Sequence, residues 1–315
     1  MGNNTELELA STIVYVDREL AERHQRGSID VVTQRVHDIK PHFTREQVLG
    51  FVENLCDGGV FTGNGQPIAK HDVGMTPPAI ISLTFDDGFR CQFEKALPIL
   101  NSYKIPATFF LIANRYATHD RWSGHVNDWW KIAWRDDDIA MLKDVCKDGH
   151  EIGSHSVTHD PNKMPTQPDV EAQESKLLIE EWIGKKVSSF CYPFYRSHAY
   201  LANAVKNAGY EQARGGGTAP GYDPQASYYS VGQGGALDKF NVDCRQISKN
   251  ENVGGWIRPG CWHVLTFHGI GDGKDGWEPI SVEQFSKQME ELARHRDSNA
   301  VEVVTFADGA HRVTV

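Results

Sequence analysis

Two neighbouring carboxylates, two histidines four residues apart and a further histidine stand where short apolar runs end. Ile80–Phe85 runs into Asp86-Asp87-Gly88, and Glu151–Ser154 runs into His155, with His159 following at the spacing of one helical turn. Ser189–Tyr192 runs into Pro193-Phe194-Tyr195-Arg196, and Val264–Phe267 runs into His268-Gly269. Taken singly, each piece is weak. Asp-Asp-Gly is good turn chemistry, a His pair at this spacing proves little among 14 histidines in 315 residues, and His268, like nearby His263, could be a hydrogen-bonded core residue. Together they suit one reaction. Two imidazoles and a carboxylate hold a divalent metal and leave positions open for water and substrate. The metal acidifies water and polarises a carbonyl oxygen, a second carboxylate takes the proton, and a separate histidine protonates the departing amine or alkoxide. Asp87, His155 and His159 suit the ligand role, Asp86 that of the base and His268 that of the acid. Adjacent residues of an extended chain point to opposite faces, so Asp86 and Asp87 can divide these tasks.

Residues so far apart in the chain need a scaffold that brings strand ends together. From residue 79 onward, short apolar runs alternate with amphipathic helical segments. The candidate strands are 80–85, 107–113, 151–154, 187–192, 210–213, 262–267 and 301–306; the candidate helices between them are 93–103, 137–147, 170–183, 199–208 and 282–295. Strict alternation predicts parallel strands with right-handed crossovers, hence an α/β barrel or a doubly wound sheet. Both architectures place ligands beyond the C-terminal ends of the strands, where the titratable groups fall. The interval 214–261, rich in Gly and Tyr, reads as a long functional loop region.

Residues 1–76 differ in pattern. Leu9, Ile13, Val16 and Leu20 share one helical face, a second run covers Val31 to Ile39 before Pro41, and Thr44 with Gln47 has capping-box spacing ahead of a third. The segment reads as a helical extension before a 77–315 main domain, with homo-oligomerisation through its helices as an expectation. A winged-helix DNA binder is disfavoured, since 1–76 carry 7 Lys/Arg against 11 Asp/Glu.

The whole chain, 315 residues long, has a formal charge of -10, which sets nucleic acid and anionic membranes aside as main partners. Its 40% hydrophobic and 10% aromatic content is that of a folded protein, not a disordered one. No run reaches the ~20 apolar residues of a membrane helix. The N-terminus shows neither the basic start nor the apolar core of a secretory signal, and the six cysteines lie far apart without a C-x-x-C pair. These features predict a cytoplasmic protein with isolated thiols, the alternative being a secreted one whose signal was trimmed.

The residues from about 78 to 315 resemble the polysaccharide deacetylase family, also called the NodB-homology domain or carbohydrate esterase family four. The resemblance rests on Thr84-Phe85-Asp86-Asp87-Gly88, on Gly149-His150-Glu151-Ile152-Gly153-Ser154-His155-Ser156-Val157-Thr158-His159 and on Leu265-Thr266-Phe267-His268-Gly269-Ile270. It implies a distorted (β/α) barrel of about seven parallel strands. It also implies Asp86 as general base, Asp87, His155 and His159 on a metal that is usually zinc (cobalt, nickel or manganese in its place), and His268 as general acid. The main-chain N–H of Phe194 would join the metal at the oxyanion, with Tyr195 beside it. The implied substrate is the acetamide of an N-acetylglucosamine unit in a chitin-like, peptidoglycan-like or short glycan. An acetyl ester of xylan, a small amide or ester, and a non-catalytic glycan-binding module are the alternatives.

The chain departs from the family at two places. Where the third motif usually begins with an arginine that orients the catalytic aspartate, Cys191 stands; Arg214 or Arg196 could supply the cation, Arg214 being preferred. The aspartate-rich fourth motif, with a Trp that walls the pocket, has no clear counterpart between 214 and 261. Trp129 and Trp130 are candidates for a glycan-stacking platform, Trp134 for the core, and the charges of the Gly271–Gly276 rim for solvation.

Overall fold

The computed structural model describes Thr44, residues 78–113, 134–215, 229–230, 238–247, 249 and 251–313. The chain divides after Thr76, and the account below concerns the second unit. The expectations for helices in 1–76 and for Trp129 and Trp130 lie outside the described residues.

All seven strands read from the sequence are present: β1 (Ala79–Phe85), β2 (Thr108–Leu111), β3 (Glu151–Ser154), β4 (Ser189–Cys191), β5 (Gln212–Arg214), β8 (Cys261–Phe267) and β9 (Val301–Val303). They run parallel, in the order β5-β4-β3-β2-β1-β8, with β9 beside the start of β1. Two short strands, β6 (Tyr229–Ser230) and β7 (Arg245–Gln246), lie in the interval read as loop. The stretch containing β7 closes the curled sheet. Val242 bridges to Arg214 of β5, and Arg245 pairs with Leu265 of β8, both in parallel. β6 is antiparallel to β8. The architecture is a distorted (β/α) barrel.

Alternation along each strand sorts the side chains. Ile81, Leu83 and Phe85 of β1 face outward with Leu265 and Phe267 of β8 into one apolar layer, where Phe85 stacks on Phe109 and Phe267 at 4.9 and 5.3 Å. Ile80, Phe110, Cys191, Trp262 and Val264 belong to a second, inner cluster. The inward parity continues past the strand ends to Asp86 and His268, whose strands pair Thr84 with Thr266 two residues earlier.

The outer layer packs under α1 (Leu97–Tyr103), α2 (Asp136–Lys147), α3 (Pro168–Ile183), α4 (Ala199–Asn207) and α5 (Val282–Asp297). Three aspartates open α2, where the helix dipole favours anions, and the Asp138 carboxylate accepts the Arg135 N–H at 3.0 Å. The Ser281 hydroxyl caps α5 by accepting from the Gln284 N–H at 3.1 Å, and Arg294, His295 and Arg296 close it.

The strand expected to run to Phe306 stops at Val303, and α6 (Phe306–Val313) follows. This helix plugs the barrel end opposite the reactive residues. Phe306 packs on Trp262 and Phe110 at 5.7 and 5.8 Å, and the Ala307 N–H donates to Glu151 at the start of β3. Among the described residues no helix is long and apolar enough to cross a membrane, and no two of the five described cysteines form a disulfide.

Candidate active site

Asp87 follows the inward-facing Asp86 in a left-handed turn, with φ 75° at Asp87 and 70° at Gly88. A β-carbon on Gly88 would come within 2.9 Å of Trp134, so glycine serves both the backbone and the close approach. Trp134 is buried, as expected of a core residue, and its indole N–H donates to the Ile112 carbonyl at 2.8 Å. The turn aims Asp87 at the histidines. Its Oδ1 lies 3.6 Å from both His155 Nε2 and His159 Nε2.

His155 and His159 do not sit on a helix; the chain from 155 to 160 is a loop. Left-handed residues at Ser156 (φ 69°) and His159 (φ 52°) fold it so that the two rings lie 4.8 Å apart. Glu171 holds this loop from the first turn of α3. Its carboxylate is buried and accepts the Val157 N–H at 3.0 Å, the Thr158 N–H at 2.9 Å and the Thr158 hydroxyl at 2.7 Å. Sequence reading missed Glu171; the signal available was its place on the same face as the buried Ser175 and Ile179, where a carboxylate needs a partner.

The donor set fits a metal. Ligand atoms ~2.1 Å from a tetrahedral centre lie roughly 3.4 Å from one another, close to the 3.6 Å observed. His155 Nδ1 is 2.8 Å from the Cys191 carbonyl, which makes Nδ1 the protonated nitrogen and leaves the Nε2 lone pair for the ligand role. Burial pushes this imidazole down to about 4, so it stays neutral at pH 7. Asp86, His155 and Cys191 form a second close group, but Arg214 already occupies Asp86 and Cys191, and burial drives the Cys191 thiol well up, away from the thiolate that metals bind.

Arg214 stands in register with Cys191 on the neighbouring strand, so the guanidinium arrives from β5 where β4 carries a thiol. Fully buried, it pairs with Asp86 Oδ2 and donates to Cys191 Sγ (2.6 Å), Cys244 Sγ (2.8 Å) and Thr266 Oγ1 (2.6 Å). Its guanidinium carbon lies 5.4 Å from the ring centroids of both Phe110 and Tyr195. Arg196 is exposed, over the Phe194 ring. Burial alone would raise the Asp86 carboxyl, but Arg214, His155 and His268 outweigh it and hold the group below its usual value.

His268 Nε2 lies 3.7 Å from Asp86 Oδ2, and its Nδ1 has no hydrogen-bond partner among the described residues. Gln92, also missed in the sequence, ties the two strand ends together; its side-chain N–H group donates to the Asp86 carbonyl at 2.6 Å and the His268 carbonyl at 2.9 Å. Phe194 and Tyr195 are left-handed, each with φ 59°, and the Phe194 ring packs 4.3 Å from His159. The Tyr195 hydroxyl donates to Gln246 Oε1 at 3.3 Å. The rim after His268 differs from expectation. Asp275 is buried against Lys95 at 2.7 Å rather than solvated, because its carboxylate also accepts the Asp272 N–H and holds the loop closed.

Residues 74–213 match the polysaccharide deacetylase family. Among curated proteins, the peptidoglycan-N-acetylglucosamine deacetylase of Bacillus cereus is 28% identical over 139 residues, covering 42% of this chain and 54% of that protein. The chitin deacetylase of Colletotrichum lindemuthianum is 26% identical over 147 residues, covering 44% and 52%. The chain thus spans about half the length of these relatives. Among solved structures, the Xyl-CE4 domain of a multidomain xylanase from the hindgut metagenome of Trinervitermes trinervoides aligns with a TM-score of 0.46 at 18% identity, over 75% of this chain and 90% of that one. The matched span carries Asp86, Asp87, His155, His159 and Phe194, and the barrel adds Arg214 and His268 from beyond it; over residues 74–213 the chain is similar to the polysaccharide deacetylase family.

Proposed function

We propose that the chain is a metal-dependent hydrolase that removes acetyl groups from an N-acetylated sugar or glycan of chitin-like or peptidoglycan-like chemistry. The observation that carries this reading is the meeting of Asp87, His155 and His159 within ligand distance, beside a buried Asp86 and His268. A divalent ion on the three ligands, zinc in the first place, would supply the positive charge that acidifies a water and polarises the acyl oxygen.

The chain's own groups then divide the proton work. Arg214 engages Asp86 Oδ2, while Oδ1 has no partner among the described residues and is the atom placed to take the proton of the attacking water. Lowered by its neighbours, Asp86 stays a carboxylate and is ready as a base. His268 delivers a proton to the sugar nitrogen as the C–N bond breaks, so acetate and a free amine leave. The Phe194 N–H, turned by its left-handed backbone, is the main-chain donor for the oxyanion.

The test is acetate release from chitooligosaccharides, abolished by a chelator and restored by zinc. Asp87→Ala loses metal and activity together, whereas Asp86→Asn binds zinc by calorimetry yet loses at least about 100-fold in kcat. Near-normal turnover by Asp86→Asn removes Asp86 from the role of base.

A further inference from the structure

His268 has a neighbour that the proton chemistry does not use. The Trp277 indole packs against the imidazole at 4.8 Å, the planes 83° apart, while 48% of the residue stays open to solvent. Its backbone is firmly placed. The Gly269 N–H donates to the Trp277 carbonyl at 3.0 Å, and Ile270 bridges to Ile280 across the base of the loop. Gly276, just before it, holds φ 102° where a β-carbon would meet Phe89 at 2.7 Å. Glu278, just after it, is left-handed at φ 39°, and its carboxylate accepts from Gln246 Nε2 at 2.5 Å. Strained backbone of this kind persists where the surroundings over-determine it, as they do at binding sites.

Ring and ion-pair contacts form an ordered line across the mouth. Phe194 touches His159, which faces Asp87; on the other flank Asp86 faces His268, which touches Trp277. In the deacetylation proposed above, on which this inference rests, His268 protonates the leaving nitrogen. The half of the substrate beside His268 is therefore the amine half, the sugar, and the acyl half lies toward the ligands. An indole next to the acid meets a pyranose ring, whose axial C–H groups make an apolar face suited to an aromatic plane.

We propose that Trp277 is the platform on which a sugar ring of the substrate stacks, so that it sets preference for glycans over small acetylated compounds.

Chitotetraose binding to the zinc-loaded protein tests this by calorimetry, with Asp86→Asn as common background so that the ligand is not consumed. Trp277→Ala is expected to raise Kd at least 10-fold, and Trp277→Phe to return it to within about threefold, with melting temperatures reporting that both variants are folded. An unchanged Kd in Trp277→Ala, an equal loss in Trp277→Phe, or no binding by the parent protein overturns the platform. Acetate release is read separately. An active protein indifferent to Trp277 sinks the platform alone, whereas Trp277-dependent binding without any acetate release sinks the deacetylase reading alone.

Discussion

At the scale of single residues, the charge balance under the site depends on one guanidinium. Arg214 is the cation facing buried Asp86, and it is held by two thiols and a hydroxyl rather than by a second carboxylate. Breaking a buried ion pair from one side leaves an uncompensated charge and costs about 3–5 kcal/mol. Arg214→Met should therefore destabilise the protein by about that much in urea, while the double variant Asp86→Asn/Arg214→Met should recover most of the loss. If the double variant is no more stable than Arg214→Met, the pair is not what sets the cost. The sequence made Arg214 a candidate because it ends a strand. It could not show that β4 and β5 pair Cys191 with Arg214, since register depends on partners that are distant in the chain.

At the scale of elements, two strand–loop units carry the proposed metal ligands, and the second has a support that can be removed. The Glu171 carboxylate satisfies three donors of the 155–159 loop. Supporting groups of this kind typically tune metal affinity 10- to 100-fold, so Glu171→Gln should weaken zinc binding by a factor in that range, measured by competition with a chelator. Zinc affinity within twofold of wild type would show that the loop holds itself. β8 bears a different dependence. His263 points outward from it and burial pushes its imidazole down to about 4, below the unfolded value of ~6.5. The depressed group contributes stability above pH ~6.5 that is lost as pH falls toward 4, because the unfolded chain takes up the proton first. His263's share of the loss should reach about 2 kcal/mol at pH 5 relative to pH 7, and His263→Leu should make the fall of the urea midpoint over this window shallower, the remainder coming from groups such as His155 that burial depresses in the same way. A variant that follows the same pH curve as wild type contradicts the assignment. Strand and helix positions were legible because alternation and 3.6-residue periodicity write themselves into sequence. The non-helical path between His155 and His159 was not, because Glu171 and two left-handed residues impose it; nor was β7, which pairs with the distant β8, while Val242 just before it bridges to Arg214 of β5.

At the scale of the whole domain, the two barrel ends have separate tasks. The reactive groups gather beyond the C-terminal strand ends, and α6 seals the other end with Phe306 against Trp262 and Phe110. That helix escaped sequence reading because Gly309 sits in its middle, a residue that disfavours helix but is required here, where any β-carbon would overlap the Trp262 indole. Phe306→Ala should cost about 3–5 kcal/mol while zinc affinity at the far mouth stays unchanged, as read from denaturant midpoints and metal titration. Loss of zinc binding in the folded variant would mean that the two ends are coupled.

The account's central claim is that three side chains from two strand ends share one ion, with Asp86 and His268 beside it. The most direct measurement is an anomalous difference map at the zinc edge from crystals of the zinc-loaded protein. It should show one peak within about 2.3 Å of Asp87 Oδ1, His155 Nε2 and His159 Nε2. A peak on Asp86, His155 and Cys191, or none near Asp87, would contradict it.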